Sequence, residues 1–75
     1  MKNENQMIVF CQNVKVLREK NGLSQREMAK IMAISVNSLK KIEEEIMPPR
    51  MSVKIIFKLS RYFYIKPCEL FIRLP

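Results

Sequence analysis

The sequence predicts an all-α fold made of five helical segments. Apolar residues recur along the chain at spacings of three and four, which is the period of one helix face. Four of the five segments also begin with a local helix-start signal that agrees with this period. Because 75 residues leave room for one small core, we expect a single domain over residues 7–75. A short, flexible and polar lead-in, residues 1–6, is expected to precede it.

The first helix is predicted over about residues 7–21. Phe10, Val14 and Leu17 follow one another at spacings of four and three, so they share one face of this helix. Gly22 comes directly afterwards, where a residue in the left-handed conformation commonly ends a helix. The segment is therefore expected to bury one apolar stripe and to end at the glycine.

The second helix carries the clearest start signal in the chain. Ser24 and Glu27 have the spacing of a capping box, in which each side chain accepts a hydrogen bond from the other residue's backbone N–H. Leu23 and Met28 flank this box at the positions of a hydrophobic staple. These four residues predict that the helix begins just after Ser24.

The third helix is predicted to begin after Ser35, another residue that caps helices well. Ile34 and Leu39 form its staple, and Leu39 and Ile42 are expected to face the core. Only Ala33 and Ile34 separate this helix from the preceding one. A link this short forces a sharp angle between the two helices and not an antiparallel hairpin.

Two further helices complete the predicted fold. Ser52 caps the fourth, with Met51 and Ile56 as its staple. Pro67 starts the fifth, because proline is favoured at a first helical position. The fourth helix is expected to turn these residues inward: Val53, Ile56, Leu59, Ser60 and Phe63.

Charge and residue usage narrow the classes of function. Fourteen Lys and Arg against seven Glu give a net charge of +7 and a pI near 9.8, which favours a polyanionic partner such as nucleic acid. An acidic membrane face and charge for solubility alone are the alternatives. The chain has no histidine, and its only cysteines, Cys11 and Cys68, lie far apart. This pattern provides neither a metal site nor an acid–base set for an enzyme, and it fits a reducing cytosol.

Nothing in the sequence predicts a membrane protein. No stretch approaches the roughly 20 apolar residues of a membrane span. The lead-in carries both Lys2 and Glu4 and has no apolar core, so it does not have the pattern of a signal peptide.

Two helices joined by a tight turn on a basic chain are typical of a helix-turn-helix. Further residues extend this pattern along the chain: Leu17-Arg18, Gly22-Leu23-Ser24-Gln25, Met28-Ala29, Ile34-Ser35, Leu39, Ile42-Glu43, Phe63 and Glu69-Leu70. With them the sequence resembles the Cro and lambda-repressor type, the bacterial and phage regulator family also called the xenobiotic-response-element type. The resemblance covers about residues 14–71 and is most specific at the Leu-Ser-Gln-x-x-x-Ala core.

The resemblance implies a compact five-helix, lambda-repressor-like domain with the helix-turn-helix at about residues 24–43. The third helix is then the recognition helix, which lies in the major groove of double-stranded DNA. Gln25 occupies the position that in this family commonly touches a phosphate and buttresses the recognition helix. As an alternative, Gln25 is simply a good helix former at an exposed site in the first turn.

Base contacts are expected at the start and on the outer face of the third helix. Asn37 can pair with adenine, and a lysine can donate to guanine. Lys40 and Lys41 also suit a solvated helix face near a C-terminus, which is the alternative for both. The candidate DNA-binding residues are Gln25, Ser35, Val36, Asn37, Ser38, Lys40 and Lys41.

Arg18 and Glu43 fall at positions that the resemblance pairs. In this family an arginine of the first helix often forms an ion pair with a glutamate at the end of the third helix. We therefore expect Arg18 and Glu43 to form a scaffold pair that holds the recognition helix at its angle. Two unrelated surface charges are the alternative.

The sequence departs from the family pattern at three places. The turn has Ala33 where glycine is usual, which costs about 1–2 kcal/mol if the left-handed conformation is kept. The loop after the third helix has Glu44 and Glu45 where a glycine and basic residues are usual, and carboxylates repel phosphates. The fourth helix carries an unusually basic stripe, whose members are Arg50, Lys54, Lys58 and Arg61.

The basic stripe has more than one interpretation. Arg50 and Lys54 are candidate contacts to the DNA backbone, which would replace the contacts missing from the loop. The stripe as a whole can instead bind an acidic partner protein or remain a solvated face.

Homodimerisation is expected through the apolar C-terminal segment, residues 70–75. Two recognition helices would then lie about one DNA turn, roughly 34 Å, apart and contact an inverted repeat. A tail that folds back onto its own core is the alternative.

The sequence-level hypothesis is a small dimeric transcriptional regulator that needs no metal or cofactor. It is expected in the cytoplasm of bacteria, or on a phage or mobile element, and to repress by promoter occlusion. The competing hypotheses are a helix-turn-helix module that binds protein with weak or no specific DNA binding, and an RNA or nonspecific nucleic-acid binder.

Overall fold

Four α-helices and one 3-10 helix make up the chain in the computed structural model, which describes residues 6–46 and 53–74. The helices are α1 (Gln6–Lys20), α2 (Gln25–Met32), α3 (Val36–Glu43) and α4 (Val53–Phe63), and the 3-10 helix spans Pro67–Phe71. The all-α prediction is confirmed. The fifth α-helix is not shown, because the segment after Pro67 forms a single tight turn of the 3-10 type.

One core lies where these elements meet. It includes Met28 and Met32 from α2 and the two predicted inward residues of α3, Leu39 and Ile42. Every α-helix and the 3-10 helix contributes to it. The remaining members of the core cluster are Phe10, Cys11, Val14, Leu17, Ala29, Ile55, Leu59 and Leu70.

The predicted inward face of α4 is wrong at Val53, which is 61% exposed. Ile55 is buried instead, four residues before Leu59, which is buried as predicted. Val53 precedes Ile55 by two residues and so points about 200° away around the helix axis. The predicted cap and staple residues of this helix, Ser52 and Met51, lie outside the described residues.

The two predicted serine caps are both present. Ser24 Oγ accepts a hydrogen bond from the Glu27 N–H at 3.0 Å, and Glu27 Oε1 accepts one from the Ser24 N–H at 2.8 Å. Hydrogen bonds from the Ser24 backbone N–H and the Ser24 side chain lower the pKa of the Glu27 carboxyl. Ser35 Oγ accepts from the Ser38 N–H at 3.1 Å. Side chains next to the turn thus determine where α2 and α3 begin.

Ala33 adopts the left-handed conformation at the end of α2, with φ 60° and ψ 44°. The following residue closes the helix, because the Ile34 N–H donates to the Ala29 carbonyl at 3.0 Å. The turn thus keeps the left-handed conformation in which glycine is usual, and Ala33 adopts this conformation with backbone strain.

Replacing Ala33 with glycine is expected to stabilise the fold by about 0.5–1 kcal/mol. Glycine removes the strain of the left-handed conformation but loses more chain entropy on folding, so the net gain is smaller than the strain alone. Urea unfolding of Ala33→Gly measures the change. The control is Lys15→Gly, at an exposed site in α1, where roughly 0.5–1 kcal/mol should be lost. A loss of stability in Ala33→Gly contradicts the prediction.

The C-terminal segment folds back onto α1. The buried Asn13 side chain donates from Nδ2 to the carbonyls of Leu70 (2.7 Å) and Ile72 (2.8 Å), and its Oδ1 accepts from the Leu74 N–H (3.1 Å). Phe71 and Leu74 pack against the core, whereas Ile72 is 62% exposed. The folded-back tail, which the sequence left as an alternative, is therefore the conformation of this chain.

Among the described residues no helix is both long and apolar enough to cross a bilayer.

Candidate nucleic-acid interface

α2 and α3 form an angled pair whose connection is too short for an antiparallel return. Ala33 and Ile34 lie between α2 and the cap residue Ser35. The buried stripes of both helices meet in the same core, so the outer flank of α3 faces away from the protein. This arrangement is the geometry of a helix-turn-helix.

The outer flank of α3 consists of polar side chains. Leu39 and Ile42 are buried, whereas Asn37, Lys40 and Lys41 are exposed. At about 100° per residue, the three exposed residues lie roughly 130–170° from the middle of the buried stripe. The structure therefore places the three predicted base-contact residues on one accessible surface.

The side chains at the start of α3 make more contacts within the protein than the sequence suggested. The Ser35 hydroxyl donates to Ser38 Oγ at 3.0 Å, besides accepting the capping hydrogen bond. Val36 is half-buried and packs against the core. These residues hold the first turn of α3 in place, and only part of the Val36 side chain remains accessible.

Arg18 and Glu43 form a bidentate ion pair between α1 and the end of α3. The Arg18 guanidinium donates from Nε to Glu43 Oε2 at 2.6 Å and from NH2 to Glu43 Oε1 at 3.1 Å. Its NH1 donates to the Leu23 carbonyl at 3.0 Å. The two side chains are only 15% and 5% exposed. The hydrogen bonds that Arg18 donates to Glu43 raise the pKa of Arg18 above its usual value.

Gln25 is part of the same network. Its Nε2 donates to Glu43 Oε1 at 3.1 Å, so one carboxylate receives hydrogen bonds from both α1 and α2. Glu43 thus connects all three helices around the turn. An amide NH2 group has two donors, of which this hydrogen bond uses one.

The acidic loop after α3 turns towards α1. Glu44 ends the helix, and Glu45 takes a positive φ of 65°, the conformation for which glycine is usual. Glu45 Oε2 accepts from Gln12 Nε2 at 3.0 Å. Burial, with a further contribution from the Glu45 charge, raises the pKa of Cys11. Sequence reasoning missed this contact, because Gln12 and Glu45 carry no motif that links them.

The basic stripe of α4 is exposed along its described part, at Lys54, Lys58 and Arg61. Lys58 and Arg61 border a groove against α2, together with Tyr62. Arg50 lies outside the described residues.

The comparison with protein families identifies the class. The helix-turn-helix family model HTH_3 matches residues 14–70, which is more than half of the chain. The chain therefore belongs to this family, the Cro-type or xenobiotic-response-element helix-turn-helix proteins. Its members are DNA-binding transcriptional regulators and not enzymes. Neither a curated protein nor a solved structure matches the chain.

Proposed function

We propose that this protein is a sequence-specific, double-stranded DNA-binding regulator that acts as a homodimer and represses by promoter occlusion. The observation that carries the proposal is the exposed flank of α3, with Asn37, Lys40 and Lys41 on one surface. Family membership supplies the DNA-binding class. A bound dimer over a promoter blocks polymerase without any chemistry.

Each residue on this flank has a partner in the major groove. The Asn37 amide can both donate to and accept from the edge of an adenine, and Lys40 and Lys41 can donate to guanine O6 and N7. The exposed part of Val36 offers an apolar contact to a thymine methyl group. The flank therefore favours a mixed sequence and not a run of one base pair.

Phosphate contacts in this proposal surround the flank. The Gln25 amide, at the start of α2, and the hydroxyls of Ser35 and Ser38 lie near helix N-termini, which favour anions. Lys54, at the start of α4, and Arg50, which lies outside the described residues, are proposed contacts to the DNA backbone. In this proposal the Arg18–Glu43 pair is a scaffold that contacts no base. Its shorter hydrogen bond, 2.6 Å from Arg18 Nε to Glu43 Oε2, joins α1 to α3.

Dimerisation is proposed through the C-terminal segment. Ile72 is a large apolar residue that stays exposed although its neighbours pack on the core. Its backbone is extended, with φ −119° and ψ 137°, so two copies can place these segments against each other. A two-fold dimer contacts an inverted repeat whose half-sites are about 34 Å apart.

Selection of bound sequences from a random duplex pool tests the proposal. We expect an enriched inverted repeat with half-sites one helical turn apart. Recovery of a single half-site contradicts the dimer, and recovery of no motif contradicts sequence-specific binding. Weak affinity without sequence preference at ~0.1 M salt would favour the protein-binding alternative.

Asn37→Ala and Lys40→Glu are each expected to remove the preference for the selected site. Losing one bidentate base contact costs about 1–3 kcal/mol of discrimination, or roughly 5- to 150-fold. Fluorescence anisotropy on the selected site and on a shuffled duplex measures this ratio, and thermal unfolding checks the fold.

Lys15→Glu is the matched control for Lys40→Glu, because it makes the same change of charge at an exposed site on α1. It should weaken binding to both duplexes alike and keep their ratio. If the Asn37 and Lys40 variants also keep the ratio, α3 is not the recognition helix.

A further inference from the structure

A groove lies between α2 and the second half of α4. Its volume is about 760 Å³, and it is open along one side. Three of its lining residues are apolar over most of their surface, namely Leu23, Ile31 and Tyr62. Tyr62 is 52% exposed, so a large aromatic ring remains accessible at the edge of this groove.

Cations border the apolar lining. Lys30 comes from α2, and Lys58 and Arg61 come from α4. Within residues 6–46 and 53–74, none of these three forms a salt bridge. The one carboxylate in the lining belongs to Glu27, and it already accepts the Ser24 N–H in the capping box at 2.8 Å. The groove is therefore both apolar and net positive.

The groove lies on a different side of α2 from the recognition helix. Gln25 marks the side that meets α3, through its hydrogen bond to Glu43. At about 100° per residue, Lys30 lies roughly 140° and Ile31 roughly 120° from Gln25, in opposite directions around the α2 axis. None of the described residues that line the groove belongs to α3, so a molecule in the groove does not cover the outer flank of α3.

We propose that this groove docks an acidic, amphipathic segment of a partner protein. Apolar side chains of the segment would pack on Leu23, Ile31 and Tyr62, while its carboxylates pair with the cations of the rim. Aromatic residues with flanking arginine are typical anchors of protein interfaces. This interaction goes beyond DNA binding and gives the regulator a second contact surface.

Two other occupants fit the groove less well. A DNA backbone offers phosphates to the cations but no apolar group to the lining. A small ligand usually has 70–90% of its surface enclosed, which an open groove does not provide. A peptide can lie along the open groove and present both apolar side chains and carboxylates to its lining.

The test uses the full chain and a defined probe. The probe is a fluorescein-labelled 14-residue peptide with Leu and Phe at helical i, i+3 and i+4 spacing and Glu at the remaining positions. Anisotropy measures its affinity, and amide chemical shifts show where it binds. We expect saturable binding with shifts at Leu23, Ile31 and Tyr62, and at least a tenfold loss of affinity in Arg61→Glu and in Tyr62→Ser.

Three controls make the result specific. Lys15→Glu changes the net charge as Arg61→Glu does, and it should reduce the affinity less than threefold. A peptide of the same composition in scrambled order should bind at least tenfold more weakly, because it has lost the apolar face. Thermal unfolding of each variant shows that the fold is intact.

Several outcomes would overturn the proposal. They are the absence of saturable binding up to millimolar peptide, shifts confined to α3, and equal binding of the scrambled peptide. A duplex contact would appear instead as a decrease of about one in the salt slope of DNA binding for Arg61→Glu, with the peptide affinity unchanged. None of these results bears on whether α3 selects a DNA sequence, so the two proposals fail separately.

Discussion

Glu43→Ala is expected to destabilise the fold by about 3–5 kcal/mol, because it leaves Arg18 as a partly buried and unpaired cation. The variant removes both acceptors of the bidentate pair and the acceptor of Gln25 Nε2. A domain of this size has a total stability of roughly 4–11 kcal/mol. Each kcal/mol lowers Tm by about 4–8 °C, so circular dichroism melting and urea unfolding both detect the change.

Glu19 provides the matched control for this experiment. Its carboxylate also lies on Arg18, with NH2–Oε2 3.8 Å, but its side chain is 58% exposed. Removing it in Glu19→Ala should cost no more than about 1 kcal/mol, as for other exposed pairs. Equal losses in the two variants would mean that the buried pair does not hold α3.

A second variant separates an unpaired charge from a lost contact. In Arg18→Met,Glu43→Met both charges are replaced by flexible apolar side chains, so no buried ion is left without a partner. This double variant should be more stable than Glu43→Ala. We expect it to bind DNA with less sequence preference, because the ion pair that is proposed to hold α3 at its angle is missing.

Asn13→Ala is expected to cost about 2–4 kcal/mol, since it removes three hydrogen bonds between α1 and the C-terminal segment. The Leu70 carbonyl is the most costly group to leave unpaired, because Leu70 is fully buried. Water can reach the carbonyl of the exposed Ile72. Urea unfolding measures the loss, and amide exchange of the Leu74 N–H reports whether the segment has detached.

Gln12→Ala is the control for Asn13→Ala. Gln12 also links α1 to the C-terminal segment, by accepting from Arg73 NH1 at 2.8 Å, but this contact is exposed. It should cost less than about 1 kcal/mol and leave the Leu74 N–H protected. If Asn13→Ala changes stability no more than Gln12→Ala does, the buried amide is not what anchors the tail.

Helix starts were the most predictable part of the fold. Ser24 and Ser35 act within three residues of their own position, so a short stretch of sequence contains the whole interaction. The left-handed conformation of Ala33 was raised only as a possibility, because the family pattern usually has glycine at this turn. The pairing of Arg18 with Glu43, 25 positions apart, was expected only through the family resemblance.

The inward face of α4 and the form of the last helix were not predictable in the same way. The apolar residues of α4 are compatible with more than one choice of buried face. Packing against α2 and the 3-10 helix buries Ile55 and leaves Val53 exposed. The five residues of Pro67–Phe71 are too few for α-helical hydrogen bonds to repeat, so they form a 3-10 helix.

The sequence by itself determined the helical class, the two caps and the polar character of the α3 flank, because these depend on neighbours a few residues away. Tertiary structure alone decided the hydrogen bonds of Asn13, the contact of Gln12 with Glu45 and the groove beside Tyr62. Each of these joins residues that are far apart in the chain. Their side chains meet only after the core has set how the helices pack, and the crossing angles of the helices cannot be deduced from local residue spacing.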